Sequence, residues 1–305
     1  MARVLVAGGS GFIGRALVAA LIARGDRVTV LTRGEAGMRE GVPHQHWDPS
    51  PGAEASAVFS EVYDAVVNLS GEQAVGVRYS ESVKAAILNS RVDTTRWLVR
   101  AIAHAEVKPK VFVCASGTGF YGSSLSSARL DEGAPAGSDF LALVCVAWEA
   151  AAQGAEEFGV RVVRARIAPV LSEKGGALEA LLRPFKWFVG GPIGSGKQGF
   201  SWLHLDDQIA ALLRACDDSA LSGPVNFCAP GPISNAELSR IVGDLWARPA
   251  FFKAPGFALK ALFGEGAEPL LGGHFAVPRA LESVGFEFRY ADVRSALTAI
   301  LRAGS

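Results

Sequence analysis

The opening residues leave this chain few folds to choose from. Arg3-Val-Leu-Val-Ala7 is a short, branched, apolar run with little alternation, the pattern of a strand buried on both faces. It leads directly into Gly8-Gly-Ser10-Gly11-Phe12-Ile13-Gly14, and from Phe12 to Arg24 apolar residues recur at helical spacing. In such a unit Gly8 permits a tight turn, Gly11 a close approach of backbone to pyrophosphate, and Gly14 close packing of helix on strand. Free N–H groups at the helix start then meet the phosphate charge. Strand, glycine turn, helix and a second strand, Arg27-Val-Thr-Val-Leu31, follow in order, which predicts a dinucleotide site. The second strand ends in Thr32-Arg33 rather than in an acid. An acid there would bind a ribose 2′-hydroxyl and repel a 2′-phosphate, whereas Arg33 does the reverse and Thr32 adds a hydroxyl. The expected cofactor is therefore NADP(H), bound as NADP or NADPH, before NAD(H).

Strand and helix patterns continue to alternate. His44–Trp47 and Ala65–Asn68 read as strands, Val83–His104 as a long helix, Val111–Ala115 as a strand, Phe140–Phe158 as a helix capped by Ser138 or Asp139, and Arg161–Ile167 as a strand. This predicts an α/β fold, a Rossmann-type doubly wound parallel sheet built from right-handed crossovers. Ligands in such sheets sit beyond the carboxyl ends of the strands, which would gather Asn68, Ser116 and Ala168 near the glycine turn. After Ile167 glycine and proline crowd the chain. Ser234-Asn-Ala-Glu237 is a capping box, and helices are expected around Pro255–Phe263 and Asp292–Leu301. The expected organisation is a nucleotide-binding domain over 1–168, with 201–230 returning to it. Residues 169–200 and 231–305 would form a smaller, mostly helical C-terminal lobe on the substrate side.

Composition adds limits. Thirty basic and thirty acidic side chains cancel, which argues against a nucleic-acid partner or an anionic membrane surface. Four scattered cysteines form no CxxC pair and no metal-ligand cluster, so the expectation is reduced thiols and no metal. The first strand starts too early for a signal peptide, and no apolar run would span a bilayer, so a cytoplasmic protein is expected. Two motifs are set aside. Gly191-Pro-Ile-Gly-Ser-Gly196-Lys197 has P-loop spacing, but Gln198 stands where a magnesium-binding Ser or Thr is needed and no helix follows. Asn68-Leu-Ser70 is a sequon at the end of a buried strand and counts as a chance match.

Gly8-x-x-Gly11-x-x-Gly14, Asn68-Leu-Ser-Gly-Glu72, Ala-Ser116-Gly-Thr-Gly-Phe-Tyr121-Gly122 and Trp202-Leu-His-Leu-Asp-Asp207 together resemble the extended short-chain dehydrogenase/reductases. Asp139-Phe-Leu-Ala, Trp148-Glu149, Gly190–Gly196, Gly223-Pro-Val-Asn226, Ser234–Glu237 and Pro278–Leu281 narrow this to an atypical, NAD(P)-dependent epimerase-like subgroup with a small C-terminal domain of unknown function. The resemblance spans essentially the whole chain. It implies that Gly8, Ser10, Gly11, Phe12, Ile13 and Gly14 hold the pyrophosphate, and Thr32 and Arg33 the 2′-phosphate. Asn68, Leu69 and Gly71 would line the adenosine–ribose side, with Arg91 contacting cofactor; a surface helix arginine is the alternative reading of Arg91. Ser116 falls at the position of the catalytic Ser or Thr, where it would hydrogen-bond a substrate oxygen; its alternative is a strand-end serine capping backbone.

The departure from the family lies on the helix after Ser116. Ordinary members carry Tyr-x-x-x-Lys there, in which lysine lowers the pKa of the tyrosine that passes a proton. Aligned on Glu149, this chain has Leu141 and Cys145 at those places, and no Tyr-x-x-x-Lys occurs anywhere. Substitute acids are Tyr121, for which packing or stacking is the favoured reading, and His204, a lone histidine of the kind that is usually structural. Cys145 reads as a buried small hydrophobe, Asp139 as a helix cap, and Glu72 and Lys197 stay open. Three functions follow: an NADP(H)-dependent oxidoreductase or epimerase of a small carbonyl or sugar-like substrate; an NADP(H)-binding sensor or scaffold with little catalysis; and a nucleotide-independent structural protein, which would make Arg33 and the glycine pattern accidents. Family analogy adds a possible homodimer through Val83–His104 and Phe140–Phe158.

Overall fold

The protein is described by a computed structural model covering residues 1–50, 52–59 and 61–303. Strands β1 (Arg3–Ala7), β2 (Arg27–Thr32), β3 (Gly37–Arg39), β4 (Val42–His46), β5 (Ala65–Asn68), β6 (Val111–Gly117), β7 (Arg161–Ile167) and β8 (Gly223–Phe227) form one eight-stranded sheet. Their order is β8-β7-β6-β5-β1-β2-β4-β3. All neighbours are parallel except β3, which runs antiparallel to β4. The order reverses between β1 and β5, which places a crevice beyond their carboxyl ends, where the chain leaves β1 at Gly8 and β5 after Asn68.

Helices cover both faces. On one side α1 (Phe12–Ala23) packs with α5 (Leu205–Asp217); on the other lie α2 (Glu81–His104) and α3 (Phe140–Gln153). The strands divide their residues between the two cores. Val4 and Val6 of β1 join Leu17, Leu21 and Leu212, whereas Leu5 and Ala7 join Trp97, Leu98 and Ile102. Period-two alternation with both faces apolar is what makes a central strand read as continuous hydrophobicity.

Helix α4 (Ala177–Lys186) follows a small hairpin in which Val170–Ser172 pairs with Gly175–Gly176 and Leu203–His204. Beyond β8 come α6 (Asn235–Trp246), α7 (Gly256–Phe263) and α8 (Val293–Ala303), the smaller helical region. Phe275–Ala276 pairs with Arg129–Leu130 and ties this region to the sheet domain.

Several boundaries differ from the sequence reading. α2 begins at Glu81, because the Ser80 hydroxyl accepts from the Val83 amide and sets the cap two residues earlier. The helix expected to reach Phe158 is α-helical only to Gln153 and tightens to 3₁₀ before Gly159, whose φ of 75° ends it. Strand β3 has no apolar pattern to announce it, since all three of its residues are exposed. Among the described residues no helix is long and apolar enough to cross a membrane.

Candidate functional site

The glycine turn is shaped by close backbone approaches. Gly8 has φ of 77°, and a Cβ there would stand 2.7–2.9 Å from the Leu69 and Ser70 backbone at the exit of β5. A Cβ on Gly14 would collide with the carbonyl oxygen of Gly8, which also accepts from the Gly11 amide at 3.0 Å. No side chain caps α1 and its first turn holds no acid, so its leading N–H groups are left for a ligand. Ser10 and Gly11 are exposed; Phe12 and Ile13 are half-buried, and the Phe12 ring faces Gly175 and Gly176.

Beside the turn stand two arginines. Arg33 is 76% exposed, and its nearest carboxylate, on Glu72, is 3.9 Å away. Thr32 Oγ1 accepts from the Gly34 amide at 3.1 Å. Arg91 reaches across from α2, donating to the carbonyls of Ile87 (2.9 Å) and Glu72 (2.8 Å) and stacking 5.2 Å from the Trp148 ring. Its guanidinium lies against Gly71, and no ion pair neutralises it among the described residues. Burial alone pushes its pKa down. Asn68 is buried and turned inward: its amide donates to Thr95 Oγ1 at 3.0 Å while its carbonyl accepts from the Ser70 amide at 3.1 Å. It therefore shapes the Leu69–Gly71 turn from below.

Two strands away the environment changes. Ser116, at the end of β6, donates its hydroxyl to Glu149 of α3 at 2.8 Å. Glu149 is held by both arms of Arg166 on β7, at 2.8 and 3.0 Å. Arg166 also donates to the Tyr121 hydroxyl at 3.1 Å and stacks 3.5 Å from the Phe120 ring. The Tyr121 hydroxyl in turn donates to the Asp131 carbonyl (2.9 Å) or Asn226 Oδ1 (2.7 Å). Burial raises the Tyr121 pKa to about 12. Sequence reading gave no site role to Arg166, Asn226 or Glu149, quoting the last two only within family phrases and, for Glu149, as an alignment point. The available signal was one acid, Glu149, in the apolar helix Phe140–Gln153 and an arginine, Arg166, near the end of the strand Arg161–Ile167.

The remaining candidates fall in different places. Leu141 and Cys145 both border the Gly117–Gly119 turn, and burial lifts the Cys145 thiol to about 11. His204 caps α5, accepting from the Asp206 amide at 3.0 Å, and lies 4.0 Å from the Tyr290 ring. Asp139 caps α3 and also accepts from the Ser123 amide at 2.6 Å. In the P-loop-like stretch, Gly191 meets the Phe252 backbone and Gly196 meets Ala236, so those glycines serve close packing.

Residues 4–227 match the model of the NAD dependent epimerase/dehydratase family. The chain belongs to that family. Residues 254–300 match a domain of unknown function, DUF1731. The chain is 39% identical over 303 residues to the Arabidopsis thaliana epimerase family protein SDR39U1 homolog, chloroplastic, covering 98% of this chain and 86% of that one. The crystal structure of human SDR39U1 with NADPH superposes with a TM-score of 0.87 at 35% identity, covering 98% and 99% of the two chains. A protein from Corynebacterium glutamicum described as a nucleoside-diphosphate sugar epimerase gives 0.80 at 34% identity, over 98% of this chain and 58% of that one. These matches confirm the atypical short-chain dehydrogenase/reductase fold read from the motifs.

Proposed function

We propose that this family member is a cytoplasmic protein that binds NADP(H) in the crevice between β1 and β5 and acts as an oxidoreductase or epimerase on a small carbonyl or sugar-like substrate. The observation that carries the reading is the pairing of an uncapped, acid-free α1 N-terminus with two arginines: Arg33, exposed and only loosely paired with Glu72 at 3.9 Å, and Arg91, which has no ion-pair partner among the described residues. Backbone N–H groups and guanidinium groups near the glycine turn fit a pyrophosphate and a 2′-phosphate. The NADPH in the human structure and the sugar substrate class in the Corynebacterium protein's description support cofactor and substrate respectively.

The cofactor would supply hydride chemistry; the chain must handle the proton. Because Ser116 donates to Glu149, its oxygen would act as an acceptor toward a substrate hydroxyl, in place of its contact with Cys145. As hydride leaves the substrate carbon, the hydroxyl proton would pass to Ser116 Oγ while the serine proton moves to Glu149 Oε1, leaving a carbonyl. Return of hydride reverses both transfers. Arg166 holds the Glu149 carboxylate in place for this relay, which would substitute for the absent Tyr-x-x-x-Lys pair.

A second reading, a cofactor-binding sensor or scaffold, is favoured by one observation: Ser116 is only 4% exposed and already bonded. NADPH deuterated at C4 on either face separates the two when incubated with the protein and a metabolite extract. Label in one metabolite, lost in Ser116→Ala, is the expected result. Saturable NADPH binding with no labelled metabolite, together with a partner captured only when NADPH is present, would establish the sensor instead.

A further inference from the structure

Whole-chain neutrality conceals a strongly one-sided region. Segments 180–200 and 245–264 carry six basic residues (Arg183, Lys186, Lys197, Arg248, Lys253 and Lys260) and no acidic one. None of the six has an ion-pair partner among the described residues. The two segments pack against each other. The Phe252 amide donates to the Gly190 carbonyl, the Ala254 amide to the Pro192 carbonyl, and Arg248 stacks 3.7 Å from the Phe188 ring.

The same surface exposes large apolar side chains. Trp187, Phe188 and Val189 are 76%, 53% and 53% exposed at the end of α4; Phe251 and Phe257 are 71% and 78% exposed. Helix α7, Gly-Phe-Ala-Leu-Lys-Ala-Leu-Phe, is almost wholly apolar and buries none of its residues. A soluble helix of this composition ordinarily sinks one face into a core. Phe188 adds backbone strain, with φ of 60° in the left-handed region that a bulky residue rarely adopts. Trp187 stands out into solvent, while Phe188 packs under the Arg248 guanidinium and Val189 borders an apolar cleft. This cleft, of about 280 Å³, opens between α4 and α6, walled by Pro184, Phe185, Val189 and Phe252 with Lys253 at its rim.

We infer that this face docks on an anionic membrane surface. Exposed Trp and Phe interleaved with unpaired Lys and Arg is the composition that seats in the headgroup region, with aromatic rings at the acyl boundary and cations on lipid phosphates. Charge complementarity selects anionic over neutral lipid. The length of α7, eight residues, limits the contact to the interface. The cleft gives a lipid chain or tail an apolar place to enter from that side.

The test is sedimentation of the full-length protein with vesicles of phosphatidylcholine alone and of phosphatidylcholine mixed with phosphatidylserine. Binding is expected only to the mixed vesicles and should weaken with added salt. Lys186→Glu/Lys253→Glu/Lys260→Glu should lose at least about fivefold in affinity for each cation removed. Trp187→Ser/Phe251→Ser/Phe257→Ser should lose binding while keeping the thermal midpoint and NADPH titration of the parent. Equal binding to neutral vesicles, or no binding to either, would overturn the inference. So would a concentration-dependent dimer in vesicle-free sedimentation that the aromatic variant breaks, since the face would then belong to a second copy.

Discussion

At the Gly8 turn α1 starts without a cap, Arg33 is largely exposed with Glu72 3.9 Å away, and Arg91 rests on the Ile87 and Glu72 carbonyls, the Ser90 hydroxyl and the Trp148 ring. Along the same sheet edge Ser116, Glu149, Arg166, Tyr121 and Asn226 hand hydrogen bonds to one another in a buried chain. The first region leaves charge and N–H groups unspent, as a ligand site must; the second satisfies its own groups, as a buried core must. The contrast sets residues proposed to hold a cofactor against residues that bond to one another, with Ser116, the proposed substrate contact, on the boundary.

The largest effect should come from opening the closed network. Glu149→Ala leaves Arg166 charged and buried without its partner, a change expected to cost about 3–5 kcal/mol. Urea denaturation would register it as a lower midpoint, and a loss under about 1 kcal/mol would show that the network is not a structural unit. Next comes Gly14→Ala. Its Cβ meets the Gly8 carbonyl, so α1 must move off β1, with about 1–3 kcal/mol of strain and loss of NADPH binding. Calorimetric titration with unchanged NADPH affinity would remove the turn from the proposed site. Smaller again is Arg33→Ala, expected to weaken NADPH about tenfold, the scale of one exposed charge-assisted contact, and NADH hardly at all. Equal losses for both cofactors would end the 2′-phosphate assignment.

The open region was legible in the sequence because its work is done by backbone. Glycine spacing, strand order and an arginine at a strand end are local patterns, and a turn with φ of 77° at Gly8 needs no distant partner. The closed region was not legible, because its members come from positions 116, 121, 149, 166 and 226 and meet only through tertiary packing. Arg166 sits in a strand whose arginines at 161, 164 and 166 suggest an edge, yet β7 is flanked by β6 and β8. The basic aromatic face was hidden for another reason. Totals of thirty and thirty average over the whole chain, and segregation shows only once 190–192 is seen against 252–254.

His204 offers the finest cut between the two kinds of region. It was a candidate acid in the sequence, and in the fold it caps α5 as a buried neutral acceptor. Burial pushes its pKa down; Asp206 and Asp207 oppose this and Arg289 adds to it. A histidine whose folded pKa lies below its unfolded value takes up a proton more readily when unfolded. Stability is then full above about pH 6.5 and falls as pH drops from there toward the folded pKa. His274, buried beside the Gly122 carbonyl, titrates with the same sign, so the two histidines add. His204→Asn keeps a capping acceptor without the titration and should flatten, though not abolish, the loss of stability as pH falls below about 6.5. His204→Ala should lose about 1 kcal/mol of cap at every pH. If instead His204→Asn leaves the stability profile unchanged but shifts the pH dependence of hydride transfer, His204 would belong to the chemistry, and the closed region would extend to α5.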